Sequence, residues 1–126
     1  MTMEQASGGP VDAVVEYAGR VLLVKAGGDW KLPSGDPELA EPAPATAARV
    51  VYELTGYLVD GTTLLTPDGT DTADTRPAVV CQLLSETPSG DARLSPDEFT
   101  WVPIAEAVAA GVSQTVRVYL EGHTPV

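Results

Sequence analysis

The stretch from Leu32 to Tyr57 most constrains what this chain can fold into. In its second half, apolar residues recur at positions i, i+3, i+4 and i+7, which is the spacing of one face of an amphipathic helix. These residues are Ala47, Val50, Val51 and Leu54. Gly56 follows where helices commonly end on a glycine, and Pro44 is tolerated because the first helical turn leaves its N–H groups unpaired. We therefore predict a helix over residues 43–54.

Short segments rich in apolar residues predict β-strands on both sides of this helix. The predicted strands cover residues 11–17, 20–25, 30–33, 57–65, 76–86 and 98–102. Two short helices, over residues 104–110 and 113–120, follow the last strand. Strands, a central helix, more strands and terminal helices together predict an α/β or α+β sandwich. Residues 1–10 are predicted to be a flexible arm and residues 11–126 a single domain.

Charge and cysteine content exclude several classes of function. The chain has 18 acidic and 7 basic residues and a net charge of −11, which disfavours binding to the phosphate backbone of a nucleic acid. A single cysteine allows no intramolecular disulfide, so we expect a reducing, cytoplasmic environment. No apolar run approaches membrane-spanning length, and the first residues lack the pattern of a signal peptide. We therefore expect neither a nucleic-acid partner nor a membrane.

Cys81 and His123 offer little for nucleophilic catalysis. Cys81 lies in an apolar run over residues 78–84 and is predicted to be a buried structural thiol. His123 is the one histidine of the chain and lies in the C-terminal tail, where we expect it in solvent. A Ser-His or Cys-His mechanism therefore has no histidine at hand.

The charged and glycine residues of the central stretch resemble the Nudix box, G-x5-E-x7-R-E-U-x-E-E-x-G-U, in which U is a bulky apolar residue. The residues that match are Gly35, Glu41, Arg49, Glu53 and Gly56. A hairpin before the stretch and a W-V-P segment after it extend the resemblance over residues 11–110. The resemblance implies the Nudix α/β/α sandwich, a mixed β-sheet with a box helix and C-terminal helices. It also implies that Glu41 and Arg49 form a salt bridge that shapes the box loop.

The sequence departs from the box on the helix face that binds metal in the family. Residues 49–54 read R-V-V-Y-E-L in place of R-E-U-x-E-E, so Val50 and Leu54 stand where two carboxylates are expected. Glu53 is left as the candidate catalytic residue and metal ligand, and the backbone carbonyl of Ser34 is a second candidate ligand. With one carboxylate on this face, Mg²⁺ or Mn²⁺ is expected only if the protein is still hydrolytic.

Further residues around the box are candidates for binding a ligand. The ligand-binding candidates are Lys31, Gly35, Glu38, Val50 and Leu54. Carboxylates that could replace the missing ones are Asp36, Glu38, Glu41, Glu86, Asp97 and Glu98. Basic residues that could flank the cleft are Arg20, Lys25, Lys31 and Arg76. Charged residues of both signs are more commonly solvated surface groups. Trp30 and Trp101 are predicted to serve in packing rather than in stacking on a nucleobase.

Two main hypotheses of function follow from the altered box. The first is a Nudix-family protein with a degraded metal site and little or no pyrophosphohydrolase activity, which binds a nucleotide-like or apolar small molecule or a partner protein. Val50 and Leu54 would then line a pocket for an uncharged ligand or contact the partner. The alternative is an active Mg²⁺-dependent hydrolase of a nucleoside diphosphate linked to another moiety, working through Glu53. A third, a reaction that needs no dinuclear metal site, has no residue in its favour. The resemblance also admits a homodimer.

Overall fold

The computed structural model describes residues 10–65, 77–85, 87–90, 92–112 and 114–122. These residues form seven β-strands, three α-helices and one 3-10 turn at Pro96–Glu98. In chain order the strands and helices are β1 (Val11–Tyr17), β2 (Arg20–Ala26), β3 (Asp29–Lys31), β4 (Ser34–Gly35), α1 (Ala43–Thr55), β5 (Val59–Leu65), β6 (Ala78–Leu83), β7 (Phe99–Pro103), α2 (Ile104–Ala109) and α3 (Gln114–Glu121).

Strand β1 is central to the mixed sheet, whose order is β3-β2-β1-β6-β5. Its first half runs parallel to β6 and also pairs with the short strand β4, which places Val11 opposite Gly35. Its last two residues instead form an antiparallel hairpin with β2, which pairs on its own other side with β3 and β7. The box loop and the hairpin turn therefore lie at opposite ends of β1.

Helices cover both faces of the sheet because side chains of a strand point alternately to its two sides. Helix α1 packs on one face, in a cluster that includes Ala13, Val15, Leu22, Ala47, Val51 and Val79. Helices α2 and α3 pack on the other face, in a cluster that includes Val14, Val21, Leu23, Ile104, Val116 and Leu120. This arrangement confirms the predicted α/β/α sandwich. Among the residues that the structure describes, no helix has the length and apolar character needed to cross a membrane.

Several element boundaries differ from those predicted. Strand β5 begins at Val59 rather than at residue 57, because Gly56 turns the chain and Tyr57 is buried in the core beneath it. Glu98 lies in the 3-10 turn rather than in β7, because its carboxylate accepts hydrogen bonds from the backbone N–H and the hydroxyl of Ser95 in a capping box. The arm over residues 1–9 and the candidates Arg76, Glu86 and His123 lie outside the described residues.

Helix α1 begins and ends close to where the sequence predicts. Pro44 lies in its first turn, and its C-terminus passes into Gly56, which has a left-handed φ of 82°. The N–H of Gly56 donates to the carbonyl oxygen of Tyr52 at 2.8 Å. This is the hydrogen bond of a left-handed C-cap, so the helix ends on the predicted glycine.

Candidate functional site

Glu41 and Arg49 form a two-point ion pair that fastens the box loop to helix α1. The Nε atom of Arg49 donates to Oε2 of Glu41 at 3.0 Å, and its Nη2 atom donates to Oε1 at 2.9 Å. These hydrogen bonds, followed by one from the backbone N–H of Glu38, lower the pKa of Glu41 to about 2. The same ion pair raises the pKa of Arg49 above its usual range. The salt bridge implied by the resemblance is therefore present.

The loop before the helix is folded around these two side chains. Oε1 of Glu41 also accepts the N–H of Glu38 at 3.0 Å and the hydroxyl of Thr46 at 2.8 Å. Nη2 of Arg49 donates a further hydrogen bond to the backbone carbonyl of Asp36 at 2.8 Å. Both side chains thus have most of their hydrogen-bonding capacity used within the protein, which is typical of a structural role.

Glu53, the carboxylate left on the former metal face, lies between two guanidinium groups. Its Oε1 atom accepts a hydrogen bond from Nη1 of Arg49 at 3.2 Å. The same oxygen lies 3.9 Å from Nη2 of Arg93, whose side chain is 68% exposed. One oxygen of the carboxylate, Oε1, therefore lies close to two positively charged side chains.

A cavity of about 380 Å³ opens beside this group. It is lined by Ser34, Gly35, Asp36, Glu38, Arg49, Val50, Glu53, Leu54 and Arg93. The structure thus brings together six of the predicted ligand, metal or catalytic candidates, and Lys31 is not among the lining residues. Five of the lining side chains are charged, which makes the cavity strongly polar.

Val50 and Leu54 both line the cavity, but they lie beside charged groups. Val50 is only 4% exposed, because the box loop crosses directly over it. A Cβ atom built on Gly35 would lie 2.6 Å from Cγ2 of Val50, so only glycine fits at this crossing. Leu54 is half-buried and lines the cavity beside charged groups.

Arg93 is the lining residue that the sequence does not indicate. It belongs to a segment that we call the capping loop, residues 87–90 and 92–95, which crosses the C-terminal end of α1. The N–H of Arg93 donates to the carbonyl of Glu53 at 2.8 Å, and the N–H of Leu94 to that of Leu54 at 3.0 Å. These bonds use backbone atoms, so no pattern of side chains around Arg93 could predict its position.

The residues present do not fit a bound Mg²⁺ ion. Among the described residues, no group of three or more His, Cys, Asp or Glu side chains is placed to hold a metal. Mg²⁺ requires oxygen ligands, whereas the one carboxylate on the helix face is paired with two arginines. The candidates Asp97 and Glu98 do not line the cavity. The pKa of Glu98 is lowered, mainly because its carboxylate accepts hydrogen bonds from the backbone N–H of Ser95 and then from the side chain of Ser95.

Three further residues considered in the sequence do not line the cavity and instead pack within the protein. They are Trp30, Trp101 and Cys81. The indole N–H of Trp101 donates to the hydroxyl of Tyr57 at 3.1 Å, so Trp101 packs beside the helix, and Trp30 packs against the α2–α3 cluster. Cys81 is buried in the sheet, and this burial raises the pKa of its thiol to about 12. Packing roles for the two tryptophans and a structural role for the cysteine are therefore in line with their predictions.

The structure resembles solved members of one family. An ADP-ribose pyrophosphatase from Streptococcus suis is 15% identical, with 92% of this chain and 91% of that chain covered and a TM-score of 0.68. A MutT NUDIX hydrolase from Burkholderia pseudomallei is 28% identical, with coverages of 89% and 94% and a TM-score of 0.53. The NUDIX domain of Shewanella oneidensis NrtR, complexed with ADP ribose, is 18% identical, with coverages of 95% and 88% and a TM-score of 0.61.

Comparisons based on the sequence give one match, which is to a family model. A search of curated proteins finds no match. The family model described as the NUDIX domain, however, matches residues 9–121, which is most of the chain and includes the entire box. The fold, the box loop and the Glu41–Arg49 ion pair agree with this match. The chain therefore belongs to the NUDIX domain family.

Proposed function

We propose that this chain is a NUDIX-fold binding protein with little or no metal-dependent pyrophosphohydrolase activity. The observation that carries the proposal is the pairing of Glu53 with Arg49 and Arg93. In a metal-dependent hydrolase, carboxylates hold the ions that activate water and neutralise phosphate charge. Here Oε1 of the equivalent carboxylate already accepts a hydrogen bond from Arg49 and lies 3.9 Å from a guanidinium nitrogen of Arg93.

Electrostatics opposes a divalent cation at this position. A cation bound to Glu53 would lie within a few ångströms of two guanidinium groups, and like charges at that distance repel. Val50 and Leu54 provide no oxygen to offset this repulsion. Asp36 and Glu38 also line the cavity, so its charges are mixed, and Arg93 is the cation there that an anion could reach most easily because its side chain is the more exposed of the two arginines.

The ligand that best suits the cavity carries phosphate. Arg93 is exposed at the cavity and holds Glu53 only at 3.9 Å, so it can turn toward an incoming anion. A guanidinium group binds phosphate through two parallel hydrogen bonds. Of the similar structures, one is an ADP-ribose pyrophosphatase and another is a NUDIX domain complexed with ADP ribose. We therefore propose a nucleotide-like diphosphate as the ligand and ADP-ribose as the first probe.

Calorimetric titration with ADP-ribose in EDTA tests this proposal directly. We expect saturable binding that added Mg²⁺ does not strengthen, and no release of product over the same period. Arg93→Gln should weaken binding about tenfold or more, since loss of about 1.4 kcal/mol of binding free energy gives that factor. Arg117→Gln is the matched control, because Arg117 is also exposed and also pairs with a glutamate, but lies on α3.

Two outcomes would overturn the proposal. Mg²⁺-dependent hydrolysis that Glu53→Gln abolishes would establish the active hydrolase instead. Binding of ADP-ribose only in the presence of Mg²⁺, or equal loss of affinity in the Arg93 and Arg117 variants, would remove Arg93 from the site.

A further inference from the structure

A second cavity lies at the hairpin end of β1, at the opposite end of that strand from the box loop. Its volume is about 340 Å³. It is lined by Tyr17, Ala18, Arg20, Tyr57, Leu83 and Trp101. It shares no lining residue with the box cavity. Tyr57, the last residue of the box, belongs to this lining, but Val50, Glu53 and Leu54 of the altered metal face do not.

Three aromatic rings form its apolar wall, and their geometry is fixed by contacts within the protein. The centroids of Tyr57 and Trp101 are 5.5 Å apart with an angle of 77° between the rings, and those of Tyr17 and Trp101 are 6.3 Å apart at 60°. The hydrogen bond from the indole of Trp101 to the hydroxyl of Tyr57 holds both rings in place. Tyr17 is 44% exposed, so its ring is open to solvent beside the cavity. Tyr17 therefore presents an aromatic surface that a planar ring could contact.

The cavity is locally positive although the chain is strongly acidic. Among the described residues that line it, Arg20 is the one with a charge, and it is exposed. Glu16 precedes Tyr17 on β1 and so points to the opposite face of the sheet, where its charge acts on Tyr119 of α3. In a chain with a net charge of −11, a cavity whose described lining has a cation and no carboxylate is a distinct electrostatic feature.

We propose that this cavity binds a planar aromatic molecule that carries one anionic group. The rings of Tyr17 and Trp101 would contact the ligand ring, and the guanidinium of Arg20 would pair with its anion. The volume lies near the lower end of the roughly 300–1,000 Å³ found for small-molecule sites, which suits a ligand of one or two fused rings. This proposal is independent of the function proposed for the box cavity.

Calorimetric titration with 2-naphthoate, and with the neutral 2-naphthamide, tests the site on the unsubstituted protein. We expect saturable binding of both, with 2-naphthoate the tighter ligand. Arg20→Gln should weaken 2-naphthoate about tenfold or more and leave 2-naphthamide nearly unchanged, because only the ion pair is lost. Arg117→Gln, a matched exposed arginine on α3, should change neither.

The position of binding is tested by NMR, since the chain has two indole N–H signals and Trp30→Phe assigns them. Addition of 2-naphthoate should shift the signal of Trp101 and leave that of Trp30 in place. An excess of ADP-ribose should not displace 2-naphthoate, because the two cavities have no residue in common. No saturable binding, an unmoved Trp101 signal, or full retention of affinity in Arg20→Gln would each overturn the proposal.

Discussion

Glu41 shows how a single residue of the box can order the loop around it. Its carboxylate accepts two hydrogen bonds from Arg49, one from the backbone of Glu38 and one from Thr46. Each of these donors belongs to the box loop or to the first turns of α1. A carboxylate so fully engaged orders the loop, whether or not a metal ever binds beside it.

Substitution of Glu41 should make this role visible in the pH dependence of stability. Because the pKa of Glu41 is lowered to about 2 from an ordinary 4.5, its ionised form stabilises the folded protein above about pH 4.5. This contribution is lost as the pH falls from that value toward 2. We expect Glu41→Gln to have a lower free energy of unfolding than the original at neutral pH, and the difference to shrink on acidification.

Urea denaturation at a series of pH values between about 2 and 7 measures this effect. Glu121→Gln is the control, because Glu121 forms an exposed i,i+4 pair with Arg117 that should contribute little. A difference between Glu41→Gln and the original protein that is constant over the whole range would contradict the ion-pair interpretation.

At this scale the sequence predicts partners that are close along the chain and misses the others. The pairs of Arg49 with Glu41 and Glu53 join residues on one helix and its preceding loop, so a motif spacing is enough to indicate them. The contact of Arg93 with Glu53 depends on how the capping loop folds back. No local spacing carries that information, and it is the contact that changes the interpretation of the site.

Helix α1 depends on other elements at its C-terminal end. The carbonyl oxygens of Glu53, Leu54 and Gly56 accept hydrogen bonds from backbone N–H groups of the capping loop. A helix end ordinarily leaves such carbonyls to solvent or to a side chain. Here tertiary contact replaces both, so the helix and the capping loop stabilise each other.

Two glycine substitutions separate the contribution of backbone conformation from that of close packing. Gly28 and Gly56 both have a positive φ, of 89° and 82°. A Cβ atom on Gly28 would meet no atom within 4 Å, whereas one on Gly56 would lie 2.6 Å from the carbonyl oxygen of Ser89. We expect Gly28→Ala to cost about 1–2 kcal/mol of unfolding free energy and Gly56→Ala to cost more than about 3 kcal/mol.

Denaturant unfolding of the two variants, with the original as reference, gives both values. Similar costs for Gly28→Ala and Gly56→Ala would show that the capping loop moves aside without penalty. The close approach of Ser89 would then have no part in holding α1.

Elements with a strong internal period are the ones that the sequence predicts well. Helix α1 was expected over residues 43–54 and is found at Ala43–Thr55, because its apolar spacing and its glycine cap both act locally. Strand β6 is shorter than predicted and β7 is shifted by one residue, because strand ends depend on pairing partners and on the capping of Ser95 by Glu98. Periodicity indicates the type of an element better than its limits.

In the molecule as a whole, Cys81 shows how deeply a side chain of the sheet is buried. Strand β6 lies between β1 and β5, and Cys81 on this strand is 2% exposed. Its side chain belongs to the cluster that packs beneath α1. Access to the thiol therefore requires the helix or the neighbouring strands to move away.

Alkylation of Cys81 should report on opening of the whole core. With a thiol pKa raised to about 12 by burial, only about one molecule in 10,000 carries the thiolate at about pH 8. We expect iodoacetamide to leave the native protein unmodified over hours and to modify the protein rapidly in urea. Labelling of the native protein at a rate close to that in urea would mean that β6 detaches without global unfolding.

At the scale of the whole molecule, the sequence predicts the fold but not the chemical character of the cavity. The sandwich rests on apolar alternation and on the box spacing, both of which the sequence displays, so the fold could be predicted. The character of the cavity rests on two arginines that meet at one carboxylate, and one of them arrives from a distant loop. Membership of the NUDIX family therefore predicts the scaffold of this chain more securely than it predicts the reaction.

The capping loop also has a consequence for how the chain matures during synthesis. The carbonyl oxygens of Glu53 and Leu54 find their partners only when Arg93 and Leu94 have left the ribosome. Until then the last turn of the box helix has no tertiary partner there and frays. A nascent chain from which Arg93 and Leu94 have not yet emerged should thus keep this turn accessible to chaperones and proteases, and their emergence should close it.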